Sequence, residues 1–255
     1  MKERRLPQFV NLVAQVRNPI GIILDRLGLI HSPYRLRLRD GLVIELRPGY
    51  GDRFAFYETV LRKTYFSAGQ QLRWGETVID VGANIGCFSL LAAQLVGPAG
   101  RVIAVEPNRT SFAQLRHNIA LNFVDNVEPL CLALGSARGK AILHRGGNAL
   151  FSSIYGEVDG KTVQGGEQEV EMSTLDAIMS QRRVDRCHYL KLDCEGAEYD
   201  ILRTVSPELA RRIDQITMEI HQVTGHSVAE IGSTLEGLGF SFVEGSNPAC
   251  FRRET

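Results

Sequence analysis

The chain of 255 residues is 44% hydrophobic and 23% charged, a profile that excludes a disordered or fibrous protein and fits a globular one with a sizeable core. Lys+Arg and Asp+Glu both number 29, so overall charge gives no pull toward nucleic acid or an anionic bilayer and leaves only local patches open. Five scattered cysteines, none in a C-x-x-C pair, exclude a disulfide framework and a zinc knuckle, and they fit a reducing cytoplasm.

Residues 1–33 read as helical. The opening stretch is basic and then partly apolar, but Gln15, Arg17 and Asn18 interrupt it and no small-residue cleavage site follows, which argues against a signal peptide. The apolar run over 20–30 is too short for a bilayer span and carries Asp25 and Arg26, so it predicts a packed amphipathic helix without membrane contact. YRLRLRDGLVIELRP alternates on both sides of Asp40-Gly41, the signal for a hairpin. GDRFAFYETVLRKTYF then resumes helical spacing, with Phe56, Val60 and Leu61 on one face.

From Thr77 onward, short apolar runs alternate with amphipathic helices, the order that builds a parallel sheet through right-handed crossovers. Strands are predicted at 77–81, 101–105, 127–132, 189–192 and 215–220, and helices at 87–96, 110–121 and 197–204. A capping box at Ser227 to Glu230 opens a last helix that ends at Gly239, and the tail suggests two closing strands about a turn at 245–248. The fold class predicted is a doubly wound, Rossmann-like α/β sheet, mostly parallel with an antiparallel closing strand, plus an N-terminal helical and β-hairpin appendage. The division expected is an appendage over 1–70 and a cofactor-binding domain over 71–255. The latter carries a Gly-rich insertion at about 135–172 that serves either as a substrate lid or as a β-appendage extending the sheet.

The most informative segment is VIDVGANIGCFS at 78–89, a strand entering a glycine turn that opens a helix. Gly82 and Gly86 let the backbone turn tightly against a ligand, and the helix start directs free N–H groups at it. Glu106 ends the next strand, where a carboxylate can accept from both ribose hydroxyls of an adenosine. That fits NAD or S-adenosylmethionine. Asp80 is read as the discriminator, since a carboxylate beside the turn repels a pyrophosphate and attracts the ammonium of a methionine moiety. The turn also lacks the full G-x-G-x-x-G set, with Asn84 where a glycine would stand. Asn108 is placed either to reach the ribose or to cap the helix near Thr110, and Ala133 and Leu134, after the third strand, are candidates for the adenine wall.

These residues resemble the FkbM-type methyltransferases, a branch of the class I S-adenosylmethionine-dependent enzymes. The resemblance is carried by DVGANIG at 80–86, VEP at 105–107, STLD at 173–176, LKLDCEGAEYDIL at 190–202 and ITMEIH at 216–221, with Asp52, Glu58 and Tyr65 upstream. It implies S-adenosylmethionine as cofactor and an O-methyltransferase acting on a hydroxyl of a small metabolite, sugar, or glycan or lipid precursor. Cys194 stands where relatives often carry an apolar residue.

Asp193, Glu195 and Glu198 follow the fourth predicted strand, and Glu219 and His221 finish the fifth, so all five can reach the crevice at the carboxyl ends. Methyl transfer needs the acceptor oxygen held in line and its proton removed. Asp193 is the first candidate to contact the acceptor, as base or as orienting acceptor, with Glu195 positioning it and His221 offering an unperturbed pKa suited to a base near neutrality. Glu198 is equally suited to cap a helix. A carboxylate–imidazole set could hold a divalent cation, but the spacing matches no metal motif, so no metal ligand is assigned. Tyr65 and Tyr57 are candidates to close over the ligand, with core packing favoured for Tyr57. The alternatives carried are a non-catalytic cofactor-binding module and an RNA methyltransferase, the second poorly supported without a basic excess.

Overall fold

The computed structural model describes residues 5–66, 72–146, 152–163 and 165–253, so the expected boundary at 70/71 lies outside the described residues. Helices α1 (Arg5–Gln15) and α2 (Ile20–Arg26) lead into the hairpin of β1 (Tyr34–Arg37) and β2 (Val43–Leu46). Leu36, Ile44 and Leu46 point inward with no exposure while Arg35 and Arg37 face solvent, the period-two pattern of a half-buried ribbon. Asp40 accepts from the Leu42 amide at 3.1 Å and Gly41 adopts φ 103°, so the Asp-Gly pair makes the reversal as its chemistry predicts. Next comes α3 (Asp52–Phe56), which widens into a π-helical turn over Tyr57–Leu61 and ends in a 3₁₀ turn over Thr64–Phe66. Phe56, Val60 and Leu61 are buried in one apolar cluster with Leu36, Ile44, Ile85 and Leu90, which packs this N-terminal stretch against the glycine turn and the helix after it.

The central sheet begins with β3 (Thr77–Val81), α4 (Cys87–Val96), β4 (Arg101–Val105), α5 (Arg109–Leu121) and β5 (Val127–Leu130). The chain then leaves the sheet for β6 (Ala133–Leu134), β7 (Gly139–Arg145), β8 (Ser152–Ser153), the short ribbon β9 (Glu157–Val158) and β10 (Lys161–Thr162), and β11 (Glu167–Ser173). It returns through α6 (Leu175–Gln181), β12 (Tyr189–Leu192), α7 (Glu198–Arg203), α8 (Pro207–Ala210), β13 (Gln215–Met218), α9 (Val228–Gly237), β14 (Phe240–Phe242) and β15 (Ala249–Arg253). Strand order is β14-β15-β13-β12-β3-β4-β5, with β15 antiparallel to both neighbours. The chain runs outward from β3 to β4 on one side and later from β12 to β13 on the other, so the topological switch lies between β3 and β12.

Two strands stop short of the sequence reading. β5 ends at Leu130 because the chain turns away so that β6 can pair with β11, and β13 ends at Met218, after which the Glu219 amide bonds the Leu192 carbonyl at 3.0 Å. Glu219 and His221 therefore lie beyond the strand end. The stretch between β5 and α6 forms a separate four-stranded sheet of order β6-β11-β7-β8, so it does not extend the central sheet.

Candidate active site

At the switch point a cavity of about 510 Å³ opens between the carboxyl ends of β3, β4 and β12, the place where doubly wound sheets bind ligands. One wall is backbone. After Val81 the chain turns through Gly82 (φ 76°) and Asn84 (φ 50°) into α4. A Cβ on Gly82 would fall 1.7 Å from the Asp193 carbonyl oxygen, so only glycine lets the β3 turn approach the end of β12 this closely. Glu106, at the end of β4, accepts from the Asn84 amide through Oε2 and from the Asn108 amide through Oε1, each at 2.8 Å. Burial pushes its carboxyl up to about 7, against the pull of those two N–H groups. The Asn84 Oδ1 is buried with no hydrogen-bond partner, an unsatisfied acceptor in the cavity wall. The second sheet completes this side with Ala133 and Leu134 of β6, Leu143 of β7 and Ser152 of β8, followed by Ile154 just past β8.

The opposite wall is built from charged side chains. Lys191 on β12 is 2% exposed and sits 3.0 Å from Asp80 Oδ1 and 3.6 Å from Asp193 Oδ2. Burial pulls its pKa down, but the Asp80 and Asp193 charges outweigh that and keep it protonated. The Tyr65 hydroxyl lies between two carboxylates, 2.7 Å from Asp193 Oδ2 and 2.8 Å from Glu219 Oε1. Glu219 is raised above the usual carboxylate range by burial and by Asp193. Glu195 adopts φ 53° and lines the cavity; burial pushes its carboxyl up to about 8, with the His221 charge opposing and Asp193 adding to the push. His221 is held from both sides, by Glu198 Oε1 3.0 Å from Nδ1 and by Glu195 Oε2 3.6 Å from Nε2. Burial works against its charge, yet the hydrogen bond to Glu198 and the surrounding carboxylates raise its pKa to about 10.

Of the sequence candidates, Gly82, Asn84, Glu106, Ala133, Leu134, Asp193 and Glu195 all stand in the cavity wall. Four do not. Asp80 has no exposure and is occupied by Lys191 and by the Ser89 hydroxyl at 2.5 Å; a lone buried carboxylate is too costly, so the fold supplies an internal cation and Asp80 has no need of a ligand's ammonium. Gly86 lies behind the wall, where its positive φ of 89° starts α4 and a Cβ would meet Leu115 Cδ1 at 2.6 Å. Asn108 caps α5, accepting from the Thr110 amide at 2.9 Å, and donates to the Ser152 hydroxyl at 2.9 Å. His221, the expected neutral base, lies outside the cavity wall, where the hydrogen bond to Glu198 and the nearby Glu195 favour its charged form. Glu198 also accepts from the Cys194 and Gly196 amides at 2.9 Å each, so it clasps the loop after β12.

The residue that sequence reasoning missed is Lys191. Its only signal was its place in LKLD, two residues before Asp193 on a strand buried on both faces. Asp193, Glu219 and His221 each offer one ligand atom within 4.8 Å of the others, a set able to take a divalent cation once the His221 proton is displaced.

The doubly wound, mostly parallel sheet with one antiparallel strand, and with a glycine turn and a carboxylate at its switch point, is the arrangement of the Rossmann-like class I methyltransferases. Within that class the chain belongs to the FkbM methyltransferase family, whose domain model matches residues 80–242. It is 28% identical over 238 residues to the 31-O-demethyl-FK506 methyltransferase FkbM of Streptomyces tacrolimicus, covering 84% of this chain and 91% of the relative. It is 27% identical over 183 residues to Methyltransferase 1 of Beauveria bassiana, covering 64% and 72% of the two chains. Among solved structures it is similar to a methyltransferase FkbM from Methylobacillus flagellatus, at 19% identity and a TM-score of 0.41 over 61% of this chain and 36% of that one.

Proposed function

We propose that this methyltransferase uses S-adenosylmethionine and transfers its methyl group to a hydroxyl of a small metabolite, sugar, or glycan or lipid precursor. The observation that carries the reading is the composition of the cavity at the switch point. One wall offers an ionisable carboxylate (Glu106) and an orphaned acceptor (Asn84 Oδ1), and the facing wall is acidic through Asp193, Glu195 and Glu219. A diphosphate would meet Asp193 and two crowded carboxyls that its own charge would keep protonated, whereas a ligand carrying a sulfonium and an ammonium favours the ionised form of all three. Discrimination against a dinucleotide thus rests on the far wall and not on Asp80. The Streptomyces relative, named for a 31-O-demethyl substrate, supports an oxygen acceptor.

Glu106 is the group for the ribose hydroxyls, and Asn84 Oδ1 suits a cationic N–H donor. S-adenosylmethionine, when bound, supplies an electrophilic methyl group. Asp193, fixed by the Tyr65 hydroxyl, is placed to accept from the acceptor hydroxyl and orient it. Glu195, with a carboxyl near 8, takes the hydroxyl proton as the oxygen–carbon bond forms and the sulfur–carbon bond breaks, and the His221 imidazolium stabilises the ionised form of Glu195 before that transfer. Activity should therefore rise with pH toward a plateau above about 8.

Calorimetric titration with S-adenosylmethionine and with NAD should show binding of the first alone. Tritium from methyl-labelled cofactor should then enter an acceptor fraction as a base-stable ether. Binding of NAD only would overturn the cofactor reading; a base-labile ester or an N-methyl product would overturn the hydroxyl acceptor.

A further inference from the structure

The balanced total charge conceals a strong asymmetry. Residues 1–66 hold 12 of the 29 basic residues but 6 of the 29 acidic ones, so the rest of the chain has the opposite excess. The same region carries more than half of the large apolar side chains on the described surface, from Val10 to Phe54. Ile20, Leu27 and Leu29 are 68%, 62% and 66% exposed.

These groups converge on one corner. On α1, Leu12 packs inward while Val10 and Val13 face out, and just past its end Val16 packs inward while Arg17 faces out. On α2, Ile22 packs inward while Ile20 and Leu27, two turns apart, face out. Both helices are thus apolar on the packed side and again on the solvent side, a pattern that leaves a second face unpartnered. The basic strand lies alongside. The Arg17 amide bonds the Arg37 carbonyl at 2.8 Å, and Asn18 Nδ2 bonds the Arg35 carbonyl at 2.8 Å, which sets exposed Arg35, Arg37 and Arg39 next to the α1–α2 corner. Arg35 is neutralised by Glu45, which His117 also contacts, and Asp25 is buried against Tyr34 and Arg53, so Arg17, Arg37 and Arg39 carry the positive charge of this corner.

We infer that this corner docks peripherally on an anionic lipid bilayer, its apolar side chains entering the interface and its arginines meeting the headgroups. Interleaved apolar and basic side chains suit a bilayer better than RNA, which offers phosphates but no apolar phase. No helix among the described residues is long and apolar enough to cross a membrane, so the contact is a surface one. The corner is also tied to the pocket. Arg53 of α3 donates to the Asp25 carbonyl of α2 at 3.0 Å, and α3 gives Phe54 and Ala55 to the cavity rim, so docking would hold the rim close to the bilayer.

The test is flotation of the full chain, without cofactor or acceptor, with vesicles of phosphatidylcholine alone and of phosphatidylcholine mixed with phosphatidylglycerol. The expected result is binding to the anionic vesicles only, weakening as salt rises. Ile20→Glu/Leu27→Glu and, separately, Arg26→Glu/Arg37→Glu should each lower it about tenfold or more while the circular dichroism and melting profile stay as in the parent. No binding to anionic vesicles, or equal binding by the variants, overturns the proposal. So does a dimer in sedimentation that Ile20→Glu/Leu27→Glu dissociates, or retention of RNA in place of vesicles. Because the assay contains no methyl donor, its failure leaves the methyl-transfer reading untouched.

Discussion

The two walls of the cavity solve recognition in different ways. The β3–β4 wall is a backbone cradle in which Gly82, the Asn84 and Asn108 amides and one carboxylate do the shaping, all within 27 residues of chain. The β12–β13 wall is a network of side chains gathered from Tyr65, Lys191, Asp193, Glu195, Glu219 and His221. The first is rigid, because its donors are main chain and its glycine conformation is fixed by packing. The second is poised, because its groups repel, share protons and titrate well away from their ordinary values.

Breaking the charged wall should have the largest effect. Lys191→Met strands Asp80 in the interior and should cost about 3–5 kcal/mol of stability in urea unfolding, with most of it recovered in Lys191→Met/Asp80→Asn. Wild-type stability in the single variant would show that Asp80 does not depend on this partner. Glu195→Gln should keep the fold and cofactor affinity but lower kcat by about 10²–10³-fold and abolish the rise in rate toward pH 8. A retained pH profile would assign the proton transfer to another group.

The backbone wall should respond more mildly and in binding alone. Glu106→Gln should weaken S-adenosylmethionine about tenfold to a hundredfold in calorimetry with little change in kcat. The parent should also bind the cofactor more tightly as pH rises through about 7, because the ribose hydroxyls are better accepted by the ionised carboxyl, and should release a proton on binding below that value. Glu106→Gln should lose this pH dependence. The smallest effect is expected from Asn84→Gly, which keeps the positive φ of 50° without strain, about threefold to tenfold in cofactor affinity. It should leave melting unchanged, since the Oδ1 has no partner in the protein to lose. A variant that melts lower would place that oxygen in a structural role.

The same contrast explains what could be read in advance. Strands at 77–81, 101–105 and 189–192 and the helix at 87–96 have the bounds their apolar runs suggested, because parallel strands buried on both faces leave a continuous signal. Gly82, Asn84 and Glu106 were legible because turn, strand end and carboxylate are close in sequence. Asp80 and His221 could be picked out in the sequence but their partners could not: Lys191, Glu195 and Glu198 come beside them only once β12 and β13 are in the sheet.

The order of apolar runs, the two glycines of the turn and the placement of Glu106 were enough for the amino-acid string to specify a doubly wound sheet and the location of the cavity at its switch point. Periodicity and turn chemistry are local properties, carried along a few consecutive residues. Which carboxylate is neutralised, which histidine is held in its charged form and which apolar helix face stays in solvent depend on neighbours brought together from as far as 154 residues away, as Tyr65 is to Glu219. Desolvation and ion pairing act through space, so tertiary structure alone decided them.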